Sequence, residues 1–577
     1  MKRLKALLIF MARQLRRSLE RFPVTAAFAL GFVVTAIYQN HYDTVVPGRA
    51  TVSVPDRLML VMALGVFLSA ATKMAIERFE VRGPFRDIIL ALSVLASFLY
   101  YLTVPDVLRD YFMMRYFALI GMLFALFCML PYTRHREGLS RYVLHLVGKF
   151  FITVLYSGVI YFGFWMILFS IENLFGINWP SDIYFDVFIA VVGLFSVTYF
   201  LGNVPETHVD LAVESYSKVF KTLFLYIVLP IASIYTVILY AYFIKLLFER
   251  SLPEGLLGNL IIWYALISTV TLYFLRDLRG GVSWLHRFMQ IFIPLMVVPM
   301  GMLFLAIGIR IGAYGWTMPR YFVVLLGVFM VASLLLMRLK KGDSAVWVTA
   351  LAIILVGIGF YGPISGYQAT LNDQTARLET MLSENGMLDA QGNLVARTDL
   401  SKDVRSVISN QVAFLLEVYD PAQIKLLPDD FSQEQSKAVL GFDIYENRNP
   451  WPDRYVSYYK EVPRTHMDIS TYDDLLVINS NSVFEEEPLN GGYTVSKTFD
   501  GQVLEIKKDG ALIYALDLAA AAARFYEDPF VTPVYEAEGM KLLLDFYAID
   551  GDLGLSGGAS VTDINYYDLW LLIDFYD

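Results

Sequence analysis

Long apolar runs fill the first two-thirds of the chain and stop near residue 367. Crossing about 30 Å of hydrocarbon takes roughly 20 apolar residues at 1.5 Å each, and about eleven runs approach that length. They lie near 24–38, 58–73, 88–104, 111–130, 150–171, 184–202, 220–247, 256–275, 288–309, 320–337 and 345–363. The second is the least distinct, being short and ending in Lys73. Ahead of them, Leu4, Leu8, Met11, Leu15 and Phe22 recur at helical spacing, with Lys5, Arg13, Arg16 and Arg17 elsewhere around the helix. This predicts a basic amphipathic helix over residues 1–22 that lies on anionic phospholipid. The basic region is too long for a cleaved signal peptide, and no A-x-A site follows the first apolar run.

Past residue 367 the pattern changes. Leu371, Leu378 and Met381 predict one helix over 368–387, and Val404, Val407, Ile408 and Val412 a second near 400–418, with a DAQGN turn between. From about residue 440 the period becomes two: GQVLEIKKDGALIYAL reads as a hairpin turning at Asp509-Gly510, and LDLAAAAARF as a helix capped by Asp517. MKLLLDFYAI and INYYDLWLLIDF read as two closing strands. The expected fold class is therefore an α-helical polytopic membrane protein of about eleven transmembrane helices followed by an α+β domain. The segments are 1–22 (amphipathic helix), 23–366 (transmembrane) and 367–577 (acidic α+β).

Composition sharpens this division. Mean hydropathy is +0.52 and 56% of residues are hydrophobic, outside the range of soluble multidomain chains. The first 367 residues hold roughly 31 Lys/Arg against 19 Asp/Glu, and the remainder roughly 15 against 36. With the N-terminus inside, the segments 1–22, 74–87, 131–149, 203–219, 276–287 and 338–344 hold roughly 23 basic residues against roughly eight on the other side. An odd number of crossings then puts the acidic domain on the outer side of the membrane. Its carboxylates would repel nucleic acid and anionic lipid, leaving a cation or a basic cell-envelope protein as partners. The single Cys128 excludes an intramolecular disulfide and a thiolate metal site.

One outer loop breaks the basic-inside trend. IRIGAYGWTMPRYF, residues 309–322, sets Arg310 and Arg320 beside Tyr314, Trp316 and Tyr321. These residues suit an interfacial belt with snorkelling arginines. A guanidinium also matches phosphate oxygens two at a time, which makes a phosphate-bearing lipid at the outer leaflet a second reading behind the belt, and pairing with the acidic domain a third. Together with LFGI at 174–177 and FYGPISGYQATLNDQTARLETML, this stretch resembles the bacterial membrane family catalogued as domain of unknown function 4153. That resemblance implies a multi-pass inner-membrane protein and transfers no catalytic residue.

Chemistry is sparse elsewhere. GLSGG around Ser556 has the G-x-S-x-G form, yet the last histidine, His466, precedes it and a strand follows, which predicts a hairpin loop. Asp550 and Asp552 lack the continuing ligands of a calcium loop, and Glu206, His208 and Asp210 in PETHVD fit a solvated loop better than a metal site. No metal, cofactor or nucleotide site is expected. Lys149, Glu172, Lys245 and Asn259 sit near span ends and no span has an acidic residue at its middle, which disfavours a proton-coupled pump of the usual kind. Pro230, Pro294 and Pro299 fall inside spans, as packed kinks or as the lining of a cavity. Two functional classes follow: handling or transport of a hydrophobic or lipid-linked substrate, and a non-transporting scaffold or sensor whose outer domain binds an envelope partner. A membrane-embedded enzyme would lack any residue constellation.

Overall fold

The computed structural model describes residues 2–42, 52–133, 138–175, 179–180, 182–206, 216–249, 255–278, 281–340, 344–432, 435–444, 455–459, 472–479, 486–498, 503–518, 520–521, 534–537, 539–553 and 561–576. The chain forms two compact units, Met1–Glu384 with Leu415–Asp430, and Asn385–Phe414 with Phe431–Asp577.

The first unit is helical. Helix α1 is Lys2–Arg21, and α2 (Pro23–Tyr42), α3 (Val54–Arg78), α4 (Pro84–Leu99), α5 (Asp110–Met129) and α6 (Leu139–Phe175) follow. The next span runs α7 (Asp182–Ala190), a π turn (Val191–Ser196) and α8 (Val197–Gly202). Then come α9 (Lys218–Thr222), a second π turn (Leu223–Val228), α10 (Leu229–Glu249), α11 (Gly255–Leu275), α12 (Ser283–Leu295), α13 (Val297–Tyr314), α14 (Met318–Leu339), α15 (Ala345–Phe360) and α16 (Gly366–Glu384). Among the described residues ten helical stretches are long and apolar enough to cross a membrane. The eleventh apolar run is α15, whose 16 residues reach only about 24 Å. It nevertheless runs antiparallel to the length of α14: Lys340 lies over the Trp347 ring at one end, and Phe360 stacks on Phe322 at 4.5 Å at the other.

The indistinct second run proves to be a 25-residue helix, because Ser53 and Asp56 close a capping box ahead of it and Lys73 pairs with Glu77 one turn on. Helix α6, at 37 residues, starts well before the apolar window, so part of the expected 131–149 loop is helical. Helix α1 packs against α8 closely enough that a Cβ on Gly202 would stand 2.1 Å from the Gln14 carbonyl oxygen.

Successive helix ends gather alternately at two faces of this unit. At one face a buried cluster joins Phe22, from the junction of α1 and α2, with Met74, Phe127, Tyr142, Leu201 and Ala345, taken from the ends of five different helices. Ion pairs lace its rim: Arg21 with Glu77, Arg17 with Glu206, and Arg141 with Asp277. The opposite face carries Arg57 with Asp106, His41 with Asp186, and Tyr184 donating to Glu172.

Helix α17 (Lys402–Val418) and the short α18 (Ser436–Leu440) precede the strands. Ile408 and Val412 of α17 are buried as expected, whereas Val407 is exposed. Strands β1 (Tyr455–Tyr459), β2 (Asp474–Asn479), β7 (Val534–Ala537), β8 (Met540–Leu553) and β9 (Val561–Phe575) form one antiparallel sheet. Strands β3 (Glu487–Pro488), β4 (Tyr493–Lys497), β5 (Val503–Lys508) and β6 (Ala511–Asp517) form another. Val495, Leu504 and Ile506 of the second sheet share one apolar core with Leu542, Leu544 and Leu571 of the first. The Asp509-Gly510 hairpin is present, both residues adopting positive φ. Asp517 accepts the Ala520 N–H, and of the LDLAAAAARF segment residue 519 and residues 522–525 lie outside the described residues.

Candidate lipid-contacting site

Helix α13 ends at Tyr314, and its last carbonyls have no intrahelical donor. Gly315 turns the chain with φ +74, a conformation that suits glycine, and α14 begins at Met318 with Pro319 in its first turn. The orphan carbonyls are met by arginines: Arg320 donates to the Gly315 oxygen at 2.8 Å and the Tyr314 oxygen at 3.2 Å. Arg377 reaches the Ala313 and Gly312 oxygens at 3.4 Å. Both cations thus sit at the negative end of the α13 macrodipole. Arg320 also lies 5.4 Å from the Tyr314 ring centre, and Trp316 meets Tyr321 edge-on at 6.1 Å.

The first turns of α16 complete the arrangement. Asp373 accepts the Trp316 N–H at 2.9 Å and the Arg377 Nε–H at 3.2 Å, while Gln374 donates to the Trp316 carbonyl at 2.8 Å. A Cβ on Gly315 would fall 2.2 Å from Asp373 and 2.3 Å from Arg377, so no larger residue fits. Tyr321 donates to the Ile364 carbonyl at 2.6 Å. The structure therefore brings Tyr314, Trp316, Arg320 and Tyr321 into one collar with three residues to which the sequence reading assigned no role, Asp373, Gln374 and Arg377. Their signal was present in the NDQTAR stretch, where Asp373 and Arg377 stand at i, i+4 spacing. Arg310, one helical turn before the end of α13, is exposed and electrostatically close to Arg320. Among the described residues it has no carboxylate within ion-pair distance.

The three prolines are placed differently. Pro294 is exposed inside α12, where its ring removes the hydrogen bond that the Gln290 carbonyl would accept; Arg338 donates to that carbonyl at 3.2 Å instead. Pro299 occupies the first turn of α13, where no N–H is needed, and it is buried on the same helix as Met300 and Leu303 of a continuous apolar cluster. Pro230 is exposed just after the second π turn. Tyr240, ten residues on, bonds the Leu295 carbonyl, which sets Pro230 about 15 Å along the bundle from the other two.

Elsewhere, Glu206 accepts from Arg17, while His208, Asp210, His466 and Ser556 lie outside the described residues. Asp550 and Asp552 belong to β8, paired with Tyr566 and Asp563 of β9, so their stretch is strand and not a loop. Among the described residues no group of three His, Cys, Asp or Glu is placed to hold a metal ion.

The family described as domain of unknown function (DUF4153) matches residues 50–367, more than half of the chain and including this collar up to the start of α16. The chain belongs to that family. An uncharacterized protein of Pasteurella multocida (strain Pm70) is 24% identical over 477 residues, covering 80% of this chain and 78% of that protein. No solved structure matches. This DUF4153 protein is a membrane-spanning chain.

Proposed function

We propose that this DUF4153 protein handles a lipid-linked molecule carrying phosphate, with the charged head held at Arg310 and the chain left in the bilayer. The supporting observation is a charge imbalance: among the described residues Arg310, Arg320 and Arg377 stand against one carboxylate, Asp373. Arg320 and Arg377 are committed to the α13 carbonyls, so Arg310 is the cation open to a ligand, with the ring of Tyr314, 66% exposed, beside it at headgroup depth. The proposed setting is a bacterial cytoplasmic membrane with α1 on the cytoplasmic, anionic leaflet and the acidic unit outside, which the basic residues collected in alternate loops support. The test is the anionic phospholipid that co-purifies with full-length protein. Arg310→Ala should lower it severalfold at unchanged thermal stability, since among the described residues Arg310 makes no hydrogen bond or ion pair. Equal lipid content would reject the reading.

A second reading has its own support. Pro299 is packed, the Gln290 carbonyl freed by Pro294 is met by Arg338, and the cluster around Met296, Met300, Met330 and Leu334 is buried and apolar. That packing favours a scaffold or sensor whose acidic unit engages a basic envelope protein or a cation over an alternating-access transporter. Uptake of a fluorescent phospholipid across proteoliposomes separates the two, since only the handling protein can move it.

A further inference from the structure

A groove of about 720 Å³ runs between α5 and α15, away from the arginine collar's own residues. Phe117, Ala118 and Gly121 line it from α5, and Val356 and Phe360 from α15. Its lining on α5 extends from residue 110 to residue 125, about 22 Å at 1.5 Å per residue, against about 15 Å for half the hydrocarbon thickness. It is therefore as long as the acyl chain of one leaflet. Its walls are almost wholly apolar, and Gly121 opens onto empty space, a Cβ there meeting no atom within 4 Å.

One end of the groove differs in kind. Asp110, the first residue of α5, is exposed and lines the mouth. Its neighbour Arg109 is turned to an ion pair with Asp420, and among the described residues no cation lies within ion-pair distance of Asp110. A carboxylate at the interfacial end of a chain-length apolar groove is complementary to a lipid whose head is a primary ammonium, which donates charge-assisted hydrogen bonds. A choline head has the charge and no N–H to donate.

From this geometry we infer that the groove holds one acyl chain of an aminophospholipid, with Asp110 receiving the ammonium of the head. This site uses none of the collar residues and has the opposite charge preference, so it stands or falls apart from the phosphate reading.

The experiment places full-length protein in nanodiscs of equal parts phosphatidylethanolamine, phosphatidylcholine and phosphatidylglycerol and counts retained lipid by native mass spectrometry. The wild type should retain phosphatidylethanolamine about tenfold over phosphatidylcholine, the discrimination of one charge-assisted hydrogen bond. Asp110→Asn should bring the two to parity. Gly121→Leu should fill the groove without a clash and lower retention of both, with thermal stability unchanged. Equal retention of the two zwitterionic lipids by the wild type overturns the inference, as does an undiminished preference in Asp110→Asn or undiminished retention in Gly121→Leu.

Discussion

Asp373 Oδ2 accepts the backbone N–H of Trp316 at 2.9 Å, joining the first turns of α16 to the loop between α13 and α14 across 57 positions of sequence. The same oxygen holds Arg377, which in turn reaches the end of α13. Asp373→Ala leaves the Trp316 N–H without its acceptor and Arg377 without its carboxylate, a loss of about 1–3 kcal/mol. The expected result is a lower melting temperature in detergent and altered fluorescence from Trp316. Unchanged values in both measurements would show that the carboxylate does not organise the loop.

Gly315 and Gly121 make opposite demands. At Gly315 a methyl group meets Asp373 and Arg377 well inside contact distance, and φ is +74; at Gly121 nothing lies within 4 Å. Gly315→Ala should therefore destabilise the unit by more than about 1 kcal/mol through backbone strain and displaced side chains. Gly121→Ala should be neutral or stabilise by a few tenths of a kcal/mol through helix propensity. Melting temperatures of the two variants that coincide would contradict the packing described for the collar.

How much of this was legible in sequence depended on whether the signal was local. Spans, the Asp509-Gly510 hairpin and the α16 and α17 helices follow from periodicity and turn residues, each contained within about twenty positions. The α3 span was underrated because Lys73 and Glu77 interrupt the hydropathy, although one helical turn apart they pair and extend the helix. The collar was half visible: its aromatics and arginines crowd one loop, whereas Asp373 and Gln374 join it only because α16 folds back over Gly315. The α5/α15 groove left no trace, since the two helices are more than 200 positions apart and small residues such as Ala118 and Gly121 are ordinary in membrane helices.

Arg21 is the most heavily used cation on the face where α1 lies. It donates to both carboxylate oxygens of Glu77, at 3.0 and 2.7 Å, and to the carbonyls of Val204 and Pro205 at 2.6 and 3.1 Å. Both side chains are largely buried, at 10% and 19% exposure. Removing Arg21 takes the two-point partner from Glu77 and leaves Lys73 3.6 Å away, so Arg21→Met should cost about 3 kcal/mol, whereas Arg21→Met with Glu77→Met should recover part of that loss. A double variant no more stable than the single one would mean that the carbonyl bonds, and not the ion pair, carry the clamp.

Alternation of helix ends turns orientation into a two-position labelling experiment. Arg82, in the short connection between α3 and α4, has a side chain 88% exposed and belongs with the face bearing Arg21 and Glu77. Ile364, between α15 and α16, is 62% exposed and belongs with the opposite face, where Tyr321 bonds its carbonyl. The native Cys128 is buried in the bundle and should stay silent. In the proposed orientation the Arg82 face is the cytoplasmic one, because lysine- and arginine-rich loops resist translocation. In intact spheroplasts an impermeant maleimide should then label Ile364→Cys and leave Arg82→Cys unlabelled until the cells are lysed. The reverse pattern would invert the topology and move the arginine collar to the cytoplasmic leaflet. Labelling of both positions in intact cells would break the alternation itself, and with it the assignment of α15 as a crossing despite its 16 residues.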